Sequence, residues 1–482
     1  MVKHYLIRHH PKPNSNSSTL ESQHSFKHHH HLFMEYYNFP NYKKSKPKLF
    51  RLFFLFVALC FFCKYSLCFH LGLFGTNPSP THCSSAVNNN ICCDRTGFRS
   101  DVCYMRGDVR THSASASLVL HDPSLGNTTT QSEEELIRPY TRKWETSVMS
   151  TIDELHLVVS GNQSRRSSCD VVHDVPAVVF STGGYTGNVY HEFNDGILPL
   201  FITSKRFNKK VVFLIVEYHN WWVTKYADVV SRLSDHPPID FSGDNRTHCF
   251  PEAIVGLSIH DELSIDPKRT HDNRTTIFHF RAFLDEVYRP RARALLIQVE
   301  QTPQSKPRLT IVSRNGSRAI TNERELAALG ERIGFKVAIL RPERTTELAE
   351  IYGVLNASDA MVGVHGAAMT HFLFMRPGTV FVQVVPLGTD WAAENYYGEP
   401  AVKMGLKYIG YKIKQKESSL YMEYERDDPV LSDPESVNAK GWETTKRVYL
   451  DGQNVSLDLK RFRKRLVRAY EYLMVSKRRL LG

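Results

Sequence analysis

No Asp-x-Asp pair occurs in the 482 residues, so the carboxylates with which an enzyme can hold Mn or Mg against a nucleotide sugar are not evident. The chain also lacks a Gly-x-Ser-x-Gly elbow, a Walker A loop and a His-Glu-x-x-His helix. Those gaps argue against a serine α/β-hydrolase, a P-loop nucleotidase and a zincin peptidase. The cysteines after residue 75 (Cys83, Cys92, Cys93, Cys103, Cys169 and Cys249) lack the two-pair spacing of a structural zinc site. A broad basic face is missing as well. Most of the net +11 comes from residues 1–51, where nine Lys or Arg face two acids, whereas 51 basic and 48 acidic side chains follow Gly75. So nearly neutral a body gives no electrostatic footing for DNA or RNA.

What is present is an ordinary globular composition, 41% hydrophobic and 23% charged, with length for about three domains. Lys43, Lys44, Lys46, Lys48 and Arg51 precede twelve unbroken apolar residues from Leu52 to Cys63, and after Lys64 a mostly apolar stretch reaches Phe74. Counted through a snorkelling Lys64, this run attains the ~20 residues of a spanning helix. A buried core helix is the competing reading, and a cleaved signal peptide fits less well because its basic region should start near residue 1. The charge order predicts an uncleaved signal anchor with its basic side cytosolic and its bulk luminal. Seven Asn-x-Ser/Thr sequons beyond the anchor, at Asn127, Asn162, Asn245, Asn273, Asn315, Asn356 and Asn454, agree with a luminal body. So do the six cysteines, which can form three bridges in any of 15 connectivities.

Residues 1–48, rich in His, Ser, Asn, Pro and Lys, read as a disordered cytosolic tail, 49–74 as the signal-anchor transmembrane helix, and 75–150 as a luminal stem with the cysteine-rich segment. From residue 177 the pattern becomes regular. Apolar runs at 177–181 and 211–216 predict buried strands, and Gly183, Gly184 and Gly187 a turn into a helix over 188–206 that Pro199 interrupts. Later, 309–313, 335–340, 360–364 and 379–385 predict strands separated by helices over 322–334, 346–356 and 366–375. This alternation predicts an α/β fold with two Rossmann-like halves facing a cleft, over 151–300 and 301–456. Residues 457–482 predict a solvated, basic amphipathic helix.

Ligands of open parallel sheets bind beyond the carboxyl ends of the strands. The best-marked such point is Gly363–Ala368, where amides at Gly366 and Ala367 can approach a phosphate and His365 can add a hydrogen bond. Close helix-to-strand packing would explain the same glycines. Arg314 and Arg318, after the first strand of that half, could clamp a diphosphate. In the front half, Asn188, His191 and Asp195 fall on one helical face, and a histidine oriented by a carboxylate four residues on can serve as general base. A satisfied structural histidine is the plainer alternative. Trp221, Trp222, Trp391, Tyr396 and Tyr397 are sugar-platform candidates that core packing would equally account for.

Four ordered segments then carry a resemblance: Ser100–Arg110, Gly183–Phe201, Cys249–Leu257 and Val362–Thr379. Together they resemble plant members of glycosyltransferase family 61, most nearly the xylan arabinosyltransferases and xylosyltransferases, over roughly residues 90 to 475. The resemblance implies a Golgi type II membrane protein of GT-B-like architecture. It implies transfer of a pentose, arabinofuranose or xylose, from a UDP-sugar to a xylan backbone with inversion, and no essential metal or other cofactor. On that reading His191, oriented by Asp195, is the base, Asn188 positions the acceptor, and Arg314, Arg318, His365 and the amides from Gly366 and Ala367 hold the departing UDP. Glu394 is a candidate for a ribose hydroxyl. An N-acetylglucosaminyltransferase of the same family and a non-catalytic glycan-binding protein remain alternatives, and nucleic acid is not an expected partner.

Overall fold

The computed structural model describes residues 85–87, 91–125, 134–161, 168–296 and 306–481. The tail at 1–48 and the anchor at 49–74 lie outside the described residues. Among those described, no helix is long and apolar enough to cross a membrane.

Two sheets organise the described residues. The second is wholly parallel, in the order Lys336–Leu340, Arg308–Val312, Ala360–Val364, Val380–Val385 and Lys407–Lys412. Its central strands Ala360–Val364 and Val380–Val385 are buried throughout and apolar except at Gln383, because helices cover both faces, as parallel sheets require. The chain leaves Arg308–Val312 toward Lys336–Leu340 on one side and returns to Ala360–Val364 on the other. That reversal opens a crevice beyond Val312 and Val364, the place where such sheets receive ligands.

The first sheet mixes directions. Ile239–Asp240, Val212–Val216, Ala177–Ser181 and His248–Val255 run parallel side by side, and its reversal falls between the last two. Beyond them, Val102–His112 pairs antiparallel with His248–Val255, and Ser117–His121, Leu155–Ser160 and Glu134–Ile137 extend the sheet. The expected stem over 75–150 is therefore corrected. Its strands are integral to the sheet because alternate residues such as Met105, Val109, Leu118 and Leu120 bury against Leu157, Val179 and Leu214. Among the described residues, disulfides join Cys93 to Cys103 across adjacent strands and Cys169 to Cys249 over 80 residues.

The sheets share packing. A single buried cluster runs from Val178, Phe180 and Phe213 through Phe280 and Leu284 to Leu348, Phe372 and Phe381. Arg281 stitches it, donating through Nε to Met375 O at 2.7 Å and through Nη2 to Phe374 O at 3.1 Å. The C-terminal helix Leu459–Leu481 buries Phe462, Leu466, Ala469 and Leu473, spaced for one helical face, while Arg463, Lys464 and Arg468 stay exposed.

Candidate active site

Asn188 starts the helix after the Ala177–Ser181 strand: its Oδ1 accepts from Tyr190 N at 3.0 Å. One α turn, Val189–His191, widens into a π turn over Glu192–Ile197 before α geometry resumes at Leu198–Ser204. The cause is Pro199, which has no N–H for the Asp195 carbonyl four residues earlier. Thr141 Oγ1 donates to that carbonyl at 2.6 Å, and Leu198 N reaches Phe193 O instead. Such π turns recur at functional sites.

The π turn places Asp195 beneath His191, with Nδ1 and Oδ2 2.6 Å apart. Asp195 is fully buried among donors: Asn194 Nδ2 at 2.8 Å, Arg142 Nη1 at 3.2 Å and Arg99 Nη2 at 3.5 Å. Burial alone would raise its carboxyl, but Arg142, His191 and Arg99 hold it well below the usual carboxylate range. An ionised Asp195 accepts from Nδ1, which leaves the Nε2 lone pair of His191 to take a proton. Tyr185 stacks on the imidazole at 4.2 Å and donates through its hydroxyl to Glu145 Oε2 at 2.6 Å. Glu145 in turn accepts from Arg142 Nε at 2.7 Å, closing a ring of charge around His191. Glu192 fastens the glycine turn by accepting from Gly187 N at 2.6 Å and Thr186 Oγ1 at 3.2 Å, and burial raises its carboxyl. A small pocket beside His191 is lined by Ser181, Thr182, Thr186, Glu192 and Trp222.

The second sheet contributes its crevice. Gly366 has φ of 148°, and a Cβ there would lie 2.6 Å from Arg314 Nη1 and 3.1 Å from Arg318 Nη1. Only glycine lets both guanidiniums rest against this backbone. Arg318 itself adopts φ of 56°, donates through Nη1 to His365 O at 3.3 Å, and keeps a buried Nε with no hydrogen-bond partner. Among the described residues neither Arg314 nor Arg318 makes an ion pair with a carboxylate. Burial lowers both, and with repulsion from Arg314 it pushes Arg318 down to about 10. Two half-buried cations without counter-ions are an anion site in waiting.

His365 sits between them and the sheet. Tyr408 Oη donates to Gln383 Oε1 at 2.8 Å, so the Gln383 amide donates to His365 Nδ1 at 3.0 Å and assigns the ring proton to Nε2. Burial, then Arg318 and Arg314, push this histidine down to about 3, so at neutral pH it is an uncharged donor.

The two clusters adjoin. The Val189–His191 turn packs on Ala367–Phe374. Tyr190 lies 5.2 Å from His191 and 5.7 Å from Tyr397, whose ring is 5.4 Å from His365. One buried tyrosine pair therefore separates His191 from the crevice that holds His365 and the two arginines.

Residues 190–382, which include His191, Asp195, Arg314, Arg318 and His365, match the family model for Glycosyltransferase 61. The chain is 55% identical over 456 residues to a xylan glycosyltransferase of Arabidopsis thaliana, covering 89% of this chain and 92% of that one. This protein belongs to glycosyltransferase family 61. An alpha-1,3-arabinosyltransferase of Oryza sativa subsp. japonica is 38% identical over 79% of this chain and 65% of its own. A beta-1,2-xylosyltransferase of the same plant is 37% identical over 80% of this chain and 84% of its own.

Not every expected residue of this family 61 glycosyltransferase joins the site. Asn188 is exposed and engaged as a helix cap. Glu394 is exposed at the start of the turn that carries Tyr397, and among the described residues it makes no hydrogen bond with the arginine pair. Trp222, Tyr396 and Tyr397 belong to the core or pack against it, while Trp221 is exposed. Gly363 serves packing, because a Cβ would strike Met369. Arg99, Arg142, Glu145, Tyr185 and Gln383 were not marked by any sequence spacing. The one group of metal-ligand geometry among the described residues, Asp108, Cys169 and Cys249, contains the Cys169–Cys249 disulfide and offers no thiolate.

Proposed function

We propose that this glycosyltransferase transfers a pentose, arabinofuranose or xylose, from a UDP-sugar to a xylan backbone by a single inverting displacement. The similar plant enzymes are named for xylan, arabinosyl and xylosyl transfer, which supports polysaccharide as acceptor. In this reading the parallel strands of the two sheets belong to the Rossmann-like halves of a GT-B-like enzyme, the first half extended by the strands between Ile91 and Ser160, and the segment at 49–74 anchors a type II protein in the Golgi membrane.

His191 Nε2 takes the proton from an acceptor hydroxyl, whose oxygen attacks the anomeric carbon as the bond from that carbon to the diphosphate breaks. Asp195 orients the imidazole and balances the imidazolium. The charge growing on UDP falls to Arg314, Arg318, the Nε2–H of His365 and the amides from Gly366 and Ala367, donors fixed before the reaction begins. With that much positive character in place, the scheme asks for no metal.

The observation that carries this is the pair Arg314 and Arg318, half-buried without an ion-paired carboxylate against Gly366 and one tyrosine pair from the Asp195-held His191. The test is to incubate the solubilised protein with several UDP-sugars and a labelled xylo-oligosaccharide, then read product mass, linkage and anomeric configuration. A pentosylated product lost in His191→Gln supports the scheme, and undiminished transfer by that variant overturns it.

A further inference from the structure

In the proposed reaction the acceptor is a polymer, so the units beside the reacting one must lie on protein that adjoins the pocket at His191. Thr182 lines that pocket, and its hydrogen bonds lead outward. Its Oγ1 donates its one proton to Glu217 O at 2.7 Å and lies 3.2 Å from His219 Nδ1. The imidazole is therefore the donor in the second contact, which leaves Nε2 of His219 for another partner. Among the described residues no hydrogen bond engages that nitrogen, and the ring, although at the N-cap of the helix Asn220–Lys225, caps no amide.

The same short helix sorts its two tryptophans. Trp222 is buried and donates through Nε1 to Glu192 Oε2, beside His191, while Trp221 is 43% exposed. Among the described residues the Trp221 ring meets one other ring, that of His219, at 6.2 Å and tilted by 55°, so no stacked partner covers its faces. Four residues on, along the same side of the helix, Lys225 donates to Arg344 O at 3.2 Å, just beyond the strand Lys336–Leu340 of the second sheet. The side that carries Trp221 thus looks toward the other half of the molecule. An open indole face, with a ring nitrogen set at an angle beside it, suits a pyranose: the axial C–H bonds lie on the indole and a hydroxyl at the sugar's edge meets the nitrogen. Rigid aromatics bind with little loss of side-chain freedom.

We propose that Trp221 and His219 form an acceptor subsite next to the reacting position, where a xylan unit stacks on the indole and one of its hydroxyls hydrogen-bonds His219 Nε2. The inference rests on the proposed transfer to xylan and adds the direction in which the polymer leaves the pocket, past Thr182 and along the Asn220–Lys225 helix.

Isothermal titration of xylohexaose into the detergent-solubilised full chain tests the subsite without turnover, with UDP as the control ligand. Trp221→Ala is expected to weaken xylohexaose about tenfold, with the ligand-free melting temperature and the UDP titration unchanged. Trp221→Phe, which keeps a flat ring, should recover most of the affinity. His219→Asn, whose amide can replace Nδ1 against Thr182 but not Nε2, should weaken xylohexaose about fivefold. The subsite is overturned if Trp221→Ala binds xylohexaose as the parent does, if Trp221→Phe is as weak as Trp221→Ala, or if UDP weakens in step with xylohexaose; a silent His219→Asn overturns the hydroxyl contact. A parent that binds UDP but not xylohexaose overturns the xylan reading and the subsite with it, whereas a parent that binds both, matched by Trp221→Ala, removes the subsite alone.

Discussion

Thr141 Oγ1 lies 2.6 Å from the carbonyl oxygen of Asp195, the acceptor that Pro199 leaves without a helical donor. The contact secures the π turn on which the His191–Asp195 pair depends. Thr141→Val strands a buried carbonyl and is expected to lose ~1–3 kcal/mol in urea unfolding. It should also lower kcat more than it raises acceptor KM, because a mis-set imidazole affects the transition state first. Adding Pro199→Ala returns an N–H to that carbonyl and should recover part of the stability.

Much of this was legible in the chain, and the illegible parts share a cause. Continuous apolar runs announced the strands at Ala177–Ser181, Val212–Val216 and Ala360–Val364, because a sheet covered on both faces leaves no polar alternation to confuse them. His191 and Asp195 were visible as a pair because four residues on a helix bring side chains together. The π turn was not visible as such, although the proline that makes it was. Arg142 contacts Asp195 across 53 residues, and Gln383 contacts His365 across a strand pairing. No local period encodes such approaches. The strand Val102–His112 is hidden in the sequence because its apolar positions mix with Arg106, Asp108 and Arg110; Arg106 faces water, and the buried Arg110 is held by Asp108, Nε to Oδ1 at 2.8 Å.

The uncompensated burial of Arg318 gives opposite signs for free and liganded protein. A cation whose pKa is pushed down to about 10 by burial and by Arg314 is a burden on the empty site. Arg318→Leu is therefore expected to leave the ligand-free melting temperature unchanged or raise it, and to reduce the stabilisation by UDP sharply. Differential scanning fluorimetry with and without UDP reads both. A large fall in the ligand-free Tm would show that Arg318 serves folding instead. UDP affinity should drop by roughly ten- to a hundredfold, the worth of one or two charge-assisted hydrogen bonds.

Three buried histidines set an acid-side stability slope. Burial is the first cause in each, pushing His365 down to about 3 and His260 and His371 down to about 4. An unfolded histidine titrates near ~6.5, so below that pH the unfolded chain binds protons that the native state refuses. Stability is thus full above about 6.5 and falls with pH toward 4, by ~1.4 kcal/mol per pH unit for each histidine once the unfolded form is protonated. Asp195 works lower: its contribution is present above the unfolded carboxylate value of ~3.9 and is lost only beneath it. Urea midpoints between pH 5 and 7 should show the histidine slope. His260→Gln should reduce it by about one proton.

Two glycines three residues apart separate packing from chemistry. A Cβ on Gly363 would meet only the flexible end of Met369 and the Val312 side chain, neighbours that can yield. Gly363→Ala should cost stability of ~1–3 kcal/mol through overpacking while UDP still binds. A Cβ on Gly366 would meet the Arg314 and Arg318 guanidiniums, and the backbone there has φ of 148°, which L side chains rarely adopt. Gly366→Ala should displace the arginines and abolish the UDP-induced rise in melting temperature. If the two substitutions instead reduced UDP binding equally, the crevice would recognise its ligand through the packed helix as a whole. The two guanidiniums would then lose their place as the anion's principal partners.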